Sequence, residues 1–212
     1  TPEESTEASL ASMMVGREVM MQVPKVPARP GEVVLRINDL VAVDERDHTA
    51  VRGASFEVRA GEVLGIAGVQ GNGQTELVEV VTGLRNASSG KITIMGKDLS
   101  QIAPRRFTEA GGAHIPEDRQ RYGMVLAYSV ADNLVLNNYY RSPFTRGLTL
   151  DREAISDHAN QLVRDFDIRT PSIDTVGNNL SGGNQQKLVV AREIGRPVKF
   201  LVASQPTRGL DV

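Results

Sequence analysis

Apolar residues along this chain fall into short runs of two spacings, and the two alternate. VVLRINDL (Val33 to Leu40) and ASFEVRAGE (Ala54 to Glu62) mix apolar and polar positions in the manner of strands, with Ala60-Gly61 as the turn signal after the second. EVLGIAG, Glu62 to Gly68, is a continuous apolar run ending in glycine and predicts a strand buried on both faces. Leu77, Val80, Val81 and Leu84 then share one helical face, with Gly83 near its end. GKITIMGKD reads as a short strand closed by Gly96, PRRFTEAG as a short helix with Pro104 in its first turn, and GAHIP as another strand. Residues 119–180 read as mostly helical, SVADNLVLNNYY and DREAISDHANQLVRDF being the clearest segments. LSGGNQQKLVVAREIGRP predicts a capped helix and VKFLVA a strand. Strand and helix alternate without an internal repeat, which predicts an α/β fold with a mainly parallel sheet.

The ends differ from this pattern. Residues 1–23 are polar at first, and Met13, Met14 and Val15 fit either a short amphipathic segment or a tail left by a preceding domain, the reading we prefer. Pro24, Pro27 and Pro30 make a stiff linker, so a first segment of 1–31 precedes a globular domain of 32–212. Residue 1 is Thr, and LDV closely follows the apolar run Phe200 to Ala203, beyond which a doubly wound sheet normally continues. These features predict a piece of a longer polypeptide, incomplete at its C-terminal end.

Composition narrows the classes. The 212 residues suffice for one sizeable domain with extensions, and 40% hydrophobic content is ordinary for a globular one. A formal charge of −2 argues against a nucleic-acid binder driven by overall charge. The absence of cysteine excludes disulfides and thiolate metal sites. No apolar run approaches the roughly 20 residues of a membrane-spanning helix, so a membrane role is expected to come through a partner.

The candidate chemistry begins at GVQGNGQTEL, Gly68 to Leu77. It follows the phosphate-loop pattern G-x-x-x-x-G-K-[ST] except that Gln74 stands where lysine belongs. Gly68, Gly71 and Gly73 lie where glycines let successive backbone N–H groups turn inward, and the following helix adds its positive end. Thr75 holds the hydroxyl position that ligates Mg²⁺ in such loops. Gln74 keeps a donor and loses the charge. A hydrogen bond to a charged partner is worth about 1.5–3 kcal/mol against about 1 for a neutral pair, so nucleotide binding is expected to be weakened, not abolished. An ordinary glycine-rich turn is the alternative when this stretch is read alone.

A second stretch decides between them. LSGGNQQK, Leu180 to Lys187, resembles the signature sequence of ATP-binding-cassette (ABC) proteins, with Ser181 as N-cap and Gly182 and Gly183 exposing N–H groups at a helix start. FLVASQPTRGLDV resembles the Walker B strand and D-loop of the same family, where the strand normally ends in Asp-Glu-Pro-Thr. Ser204 stands at the Mg²⁺-binding aspartate position and Gln205 at the catalytic glutamate position. Serine is a poor substitute for a carboxylate on a hard cation, and Gln205 can orient a water but cannot take its proton. IPEDR, Ile115 to Arg119, lies where the family's Q-loop falls, with Glu117 at the usual glutamine. The aromatic that stacks on adenine in the family has no counterpart in VAVDERDHTAV, where His48 is the nearest flat ring and reads as a surface loop residue.

The resemblance covers roughly residues 32–212. It implies an ABC nucleotide-binding domain with a P-loop core, an antiparallel β subdomain and a helical subdomain over about 119–180. The combination GNGQTEL, PEDR, LSGGNQQK and QPTRGLDV looks like the second ATP-binding domain of tandem ATPase subunits that drive bacterial simple-sugar and nucleoside importers. By that resemblance, ATP and Mg²⁺ are the cofactors, held by Gly68, Gly71, Asn72, Gly73, Gln74, Thr75, Glu76 and Glu117. The N-terminal ATP-binding half of the same polypeptide and the membrane permease subunits are the partners, and a substrate-binding protein is an indirect one. The place implied is the cytoplasmic face of the plasma membrane. With Gln74, Ser204 and Gln205 all lacking charge, this half is expected to hold nucleotide weakly and to be catalytically inactive alone. Its Ser181, Gly182 and Gly183 would complete the other half's ATPase site. Two alternatives stay open: a structural or regulatory ABC-like module that binds no nucleotide, and a non-transport ABC protein, against which the near-neutral charge counts.

Overall fold

The computed structural model describes Met13, residues 25–69 and residues 71–209. The readings made for Met14, Val15 and the closing LDV lie outside these residues.

Alternating patterns produce the first sheet. Strands β1 (Val33–Val43) and β2 (Thr49–Arg59) pair antiparallel as a long hairpin, and β3 (Ser89–Ile94) pairs with the other edge of β1. A short β4 (Lys97–Asp98) completes the order β2-β1-β3-β4. The hairpin turn is held by Asp44, whose carboxylate accepts from the backbone N–H groups of Arg46 and His48 at 2.8 and 2.9 Å. These bonds, that from His48 foremost, keep the Asp44 carboxyl below the usual carboxylate range. His48 sits on this exposed turn. Strand β1 is interrupted between Ile37 and Leu40, with Asp39 at φ 46°. Gly90 on β3 lies against this irregularity at φ +94°, and a methyl group there would stand 2.5 Å from the Asp39 carbonyl oxygen and 2.6 Å from Leu40 Cα. Only glycine fits such a backbone at such an approach.

Helix α1 (Gln74–Val81) buries Val80 and Val81 against this sheet. It ends before Leu84, which is 54% exposed instead of continuing the predicted face. Helix α2 (Pro104–Glu109) starts on its proline and turns Phe107 inward, edge-on to Phe200 at 5.2 Å. Phe200 opens β8 (Phe200–Ala203), which pairs parallel with β5 (Gly112–Ile115). This pair lies between two cores. Phe200 belongs to the core of the first sheet, while Ile115 belongs to a second, mainly helical core.

The second core is built by α3 (Val130–Leu134), α4 (Arg152–Asp165) and α5 (Gly182–Ile194). Helix α4 follows its sequence pattern closely: Asp151 caps it by accepting from Ala154 N, and Ile155, Ala159 and Leu162 face inward. Over SVADNLVLNNYY the helix is shorter than predicted. Asn133, fully buried, turns its amide onto the backbone oxygens of Val125, Tyr128 and Ser129 and accepts from Val125 N. Asparagine that bonds backbone in this way competes with helix propagation, and the chain continues in turns to a small hairpin of β6 (Thr145–Arg146) and β7 (Thr149–Leu150).

One expectation is corrected. Glu62 to Gly68 forms no strand, and Val63, Leu64 and Ile66 are 96%, 42% and 55% exposed. An apolar run becomes a buried strand only when neighbours supply hydrogen bonds and cover, and no strand pairs with it among the described residues. The parallel part of the sheet is accordingly the β5–β8 pair, alongside the antiparallel four-stranded sheet.

A buried polar cluster between these parts centres on Glu193. Its carboxylate accepts from His114 N on β5 at 3.2 Å, from Asn137 Nδ2 at 2.6 Å and from Arg192 Nε at 3.0 Å, with Arg196 3.6 Å away. The Arg192 and Glu193 side chains are 5% and 4% exposed. Burial pushes the neighbouring His114 imidazole below its ordinary value despite the pull of Glu193. Removing the negative partner would leave two arginines uncompensated, so Glu193→Gln is expected to cost about 3–5 kcal/mol of stability. Chemical denaturation of the two proteins checks this, and a variant within about 1 kcal/mol of the parent refutes the central role of the carboxylate.

Candidate functional site

The glycine-rich loop is positioned by α1. Gly71 and Gly73 have φ of 88° and 92°, and Gly73 occupies the N-cap of the helix. A methyl group on Gly73 would collide with the Ala50 carbonyl oxygen on β2, so the close approach of strand and loop depends on glycine there. No side chain caps α1, which leaves its first amides to solvent or to a ligand. Thr75 and Glu76 lie in this first turn. Glu76 favours the helix dipole there but would oppose a bound anion. The side chain of Gln74 folds back over Gly68, where an added methyl group would meet its amide nitrogen. A cleft of about 230 Å³ beside the loop is lined by Asn72, Gly73, Gln74, Val51 and Arg52 among others. Arg52 is its only charged lining residue among the described residues and was not anticipated from the sequence.

The second group of predicted residues gathers at the ends of β5 and β8. Ser204 N donates to Ile115 O at 2.9 Å, which carries the pairing of the two strands one step further. Gln205, at φ 50°, turns its side chain to Glu117 and donates from Nε2 to Oε1 at 3.0 Å. Arg208 adds an ion pair to the same carboxylate oxygen at 3.6 Å. Glu117 and Gln205 are therefore in direct contact, although 88 residues separate them in sequence. The exchange of amide and carboxylate is complementary: an amide can donate to Glu117, whereas a glutamate at 205 would face it with like charge.

The third group is the start of α5. Ser181 caps it, its hydroxyl accepting from Asn184 N at 3.4 Å and from Asn184 Nδ2 at 2.9 Å. A methyl group on Gly183 would stand 3.5 Å from Gly209 O, so this turn lies close to the 206–209 turn. No hydrogen bond or ion pair among the described residues joins the 68–75 loop to Ser204, Gln205, Glu117 or the Ser181 turn. The predicted residues thus fall into a glycine-rich loop and, apart from it, a cluster that joins Glu117, the Ser181 turn and the 204–209 segment.

The residues present suit a polyphosphate better than a divalent cation. The loop offers left-handed glycines and uncapped amides. For Mg²⁺ the donors are the hydroxyls of Thr75 and Ser204, while Glu117 is engaged by Gln205 and Arg208. No cluster of three or more His, Cys, Asp or Glu residues able to hold a metal occurs among the described residues. This donor set does not fit a tight Mg²⁺ site.

Comparison with known proteins agrees with the geometry. A family model described as ABC transporter matches residues 51–208. The guanosine import ATP-binding protein NupO of Bacillus subtilis is 46% identical over 209 residues, covering 99% of this chain and 41% of its own length. The glucose import ATP-binding protein TsgD13 of Haloferax volcanii is 47% identical, covering 98% of this chain and 38% of its own. The chain thus spans about two fifths of the length of these curated relatives. Among solved structures, a nucleotide-free ATP-binding cassette from an ABC transporter superimposes with a TM-score of 0.68 at 22% identity, covering 84% of this chain and 71% of that one. The dimeric post-hydrolysis state of the cassette MJ0796, bound to ADP and Pi, gives 0.68 at 18% identity, covering 84% and 76%. Fold, motif placement and relatives agree, and the chain belongs to the ABC transporter family as an ATP-binding domain.

Proposed function

We propose that this chain is the second ATP-binding half of a tandem ATPase subunit that powers import of simple sugars or nucleosides. Residues 32–212 would form the cassette, 119–180 its helical subdomain, and 1–31 the tail and linker from the preceding half. Relatives named for guanosine and nucleoside import support the nucleoside branch, and one named for glucose import keeps sugars within the class. The subunit would lie at the cytoplasmic face of the plasma membrane, held there by permease subunits and served indirectly by a substrate-binding protein. No helix among the described residues is long and apolar enough to cross a membrane, which suits attachment through partners.

One observation carries the asymmetric part of the reading. The position that would hold a catalytic glutamate is Gln205, and its amide is committed to Glu117. With Gln74 and Ser204 also lacking charge, the site formed by this half's own loop would bind ATP weakly, with Mg²⁺ weak or absent, and would not hydrolyse it. The Ser181–Gly183 turn is intact and capped. In the proposed assembly it would face the γ-phosphate of ATP on the first half, where preorganised donors act on developing charge. A regulatory module without nucleotide is the second reading, favoured by the Gln74 side chain folded into its own loop.

Nucleotide titration separates these two readings. Gln74→Lys is expected to tighten ATP binding by about 1–2 kcal/mol through the added charge contact. No binding by either protein leaves the regulatory reading. The chain itself is expected to show no ATP hydrolysis above background, and a magnesium-dependent turnover that survives repurification and is lost in Gln205→Ala would sink that expectation. The role in trans is tested in the full-length subunit reconstituted with its permease. Ser181→Arg or Gly182→Asp is expected to reduce ATPase activity on the order of 10²-fold or more, while Gln74→Ala keeps much of it. Equal damage from Gln74→Ala would show that this half is not degenerate.

A further inference from the structure

The stretch IPEDR yields Glu117, but the residue two places on has the more unusual setting. Asp118 accepts from Gln120 N and Arg121 N at 3.0 and 3.1 Å and so caps a π-helical turn, Arg119–Gly123. This fixes where the Arg119 side chain departs. Its Nη1 donates to Arg208 O at 2.8 Å. A methyl group on Gly182 would stand 2.6 Å from its Nη2, and one on Gly209 would stand 3.0 Å from its Nη1. The guanidinium therefore fills the space that these two glycines leave, between the first residue of α5 and the 206–209 turn. Its Nε is buried, with no partner among the described residues.

This placement has an adverse side. The start of α5 carries the positive end of a helix of 13 residues, and a cation there is repelled. Other contacts hold the arrangement nonetheless. Gln120 Nε2 donates to Gln185 Oε1 at 2.9 Å, and Gln186 Nε2 donates to Pro206 O at 2.8 Å. The first two turns of α5 are thus tied both to the segment after Glu117 and to the turn after Gln205. The contact that ties the segments is the donated hydrogen bond to Arg208 O, which a lysine ammonium can also make.

We propose that Arg119 is a positioning residue. It sets the separation between the Ser181–Gly183 turn and the 206–209 turn, so that both present to the partner half as one rigid surface. The proposal rests on the reading above, in which that turn acts on nucleotide held by the other half. A small displacement of such donors has a large effect on rate, and a shift of about 1 Å can cost on the order of a hundredfold.

The test uses the full-length subunit reconstituted with its permease, comparing Arg119→Met and Arg119→Lys. Arg119→Met keeps much of the side-chain volume and loses the donors. It is expected to lower kcat for ATP roughly ten- to a hundredfold while KM stays within about threefold, because nucleotide binding by the other half is untouched. Arg119→Lys, which can still donate to Arg208 O, is expected to recover kcat to within about threefold of the parent. Thermal melting of each variant is recorded alongside. The proposal is overturned if Arg119→Met retains kcat within about twofold, or if both variants lose activity in proportion to a lowered melting temperature. Should Arg119→Met fail to assemble, Arg119→Lys decides: assembled but with kcat down more than about threefold, it overturns the proposal, and within that limit it supports it. Ser181→Arg in the same preparation keeps the two ideas apart. If it abolishes activity while Arg119→Met does not, the action in trans stands and the positioning role falls. If neither variant matters, the reading in trans itself falls.

Discussion

One buried carboxylate holds the parts of this molecule in register. Glu193 lies on the inner face of α5, and its contacts reach β5 through His114 N, the segment after α3 through Asn137, and its own helix through Arg192. Hydrophobic packing alone would let two cores slide across the β5–β8 pair, since apolar contact is not directional. A charge buried among donors adds direction to that packing, because it favours the arrangement in which the donors reach it. The start of α5, some three turns away, inherits its position from this anchor.

From that anchor the chemistry of the site follows by short steps. Helix α5 carries Ser181 and the two glycines at one end and Glu193 near the other. Strand β8 runs alongside β5 and delivers Ser204 and Gln205 to the same end of the pair as Glu117. Glu117 and Gln205 become neighbours because two parallel strands finish together. Ligand sites at the carboxyl ends of parallel strands arise for this reason.

Much of the fold was legible in the residues. Mixed apolar and polar runs gave strands at β1 and β2, the segment DREAISDHANQLVRDF gave α4, and Ser181 as N-cap gave the start of α5. The failures have physical causes. Glu62 to Gly68 has the composition of a buried strand, but composition says nothing of whether a neighbour is present to pair with it. Over SVADNLVLNNYY the helix is short where the Asn133 side chain bonds nearby backbone oxygens, a choice that apolar spacing does not record. Within the site, the phosphate-loop pattern and the signature were visible as strings. The Glu117–Gln205 bond and the wedge of Arg119 were not, because each joins residues more than 60 apart. A carboxylate and an amide standing at exchanged positions was the one available clue to the first. For Arg119 the only clue was its place beside a capping aspartate.

The uncovered run Val63 to Val69 has a practical consequence. VLGIAGV contains no charge, and the Val63 and Val69 side chains are 96% and 74% exposed. Among the described residues no strand pairs with this stretch, and apolar, uncharged backbone left unpaired is a template for pairing between molecules. Exposure of this stretch is therefore expected to favour self-association of the chain handled by itself. An expression strategy that co-produces a covering partner, or places a charged residue at Val63, addresses the cause, whereas changes of buffer pH do not.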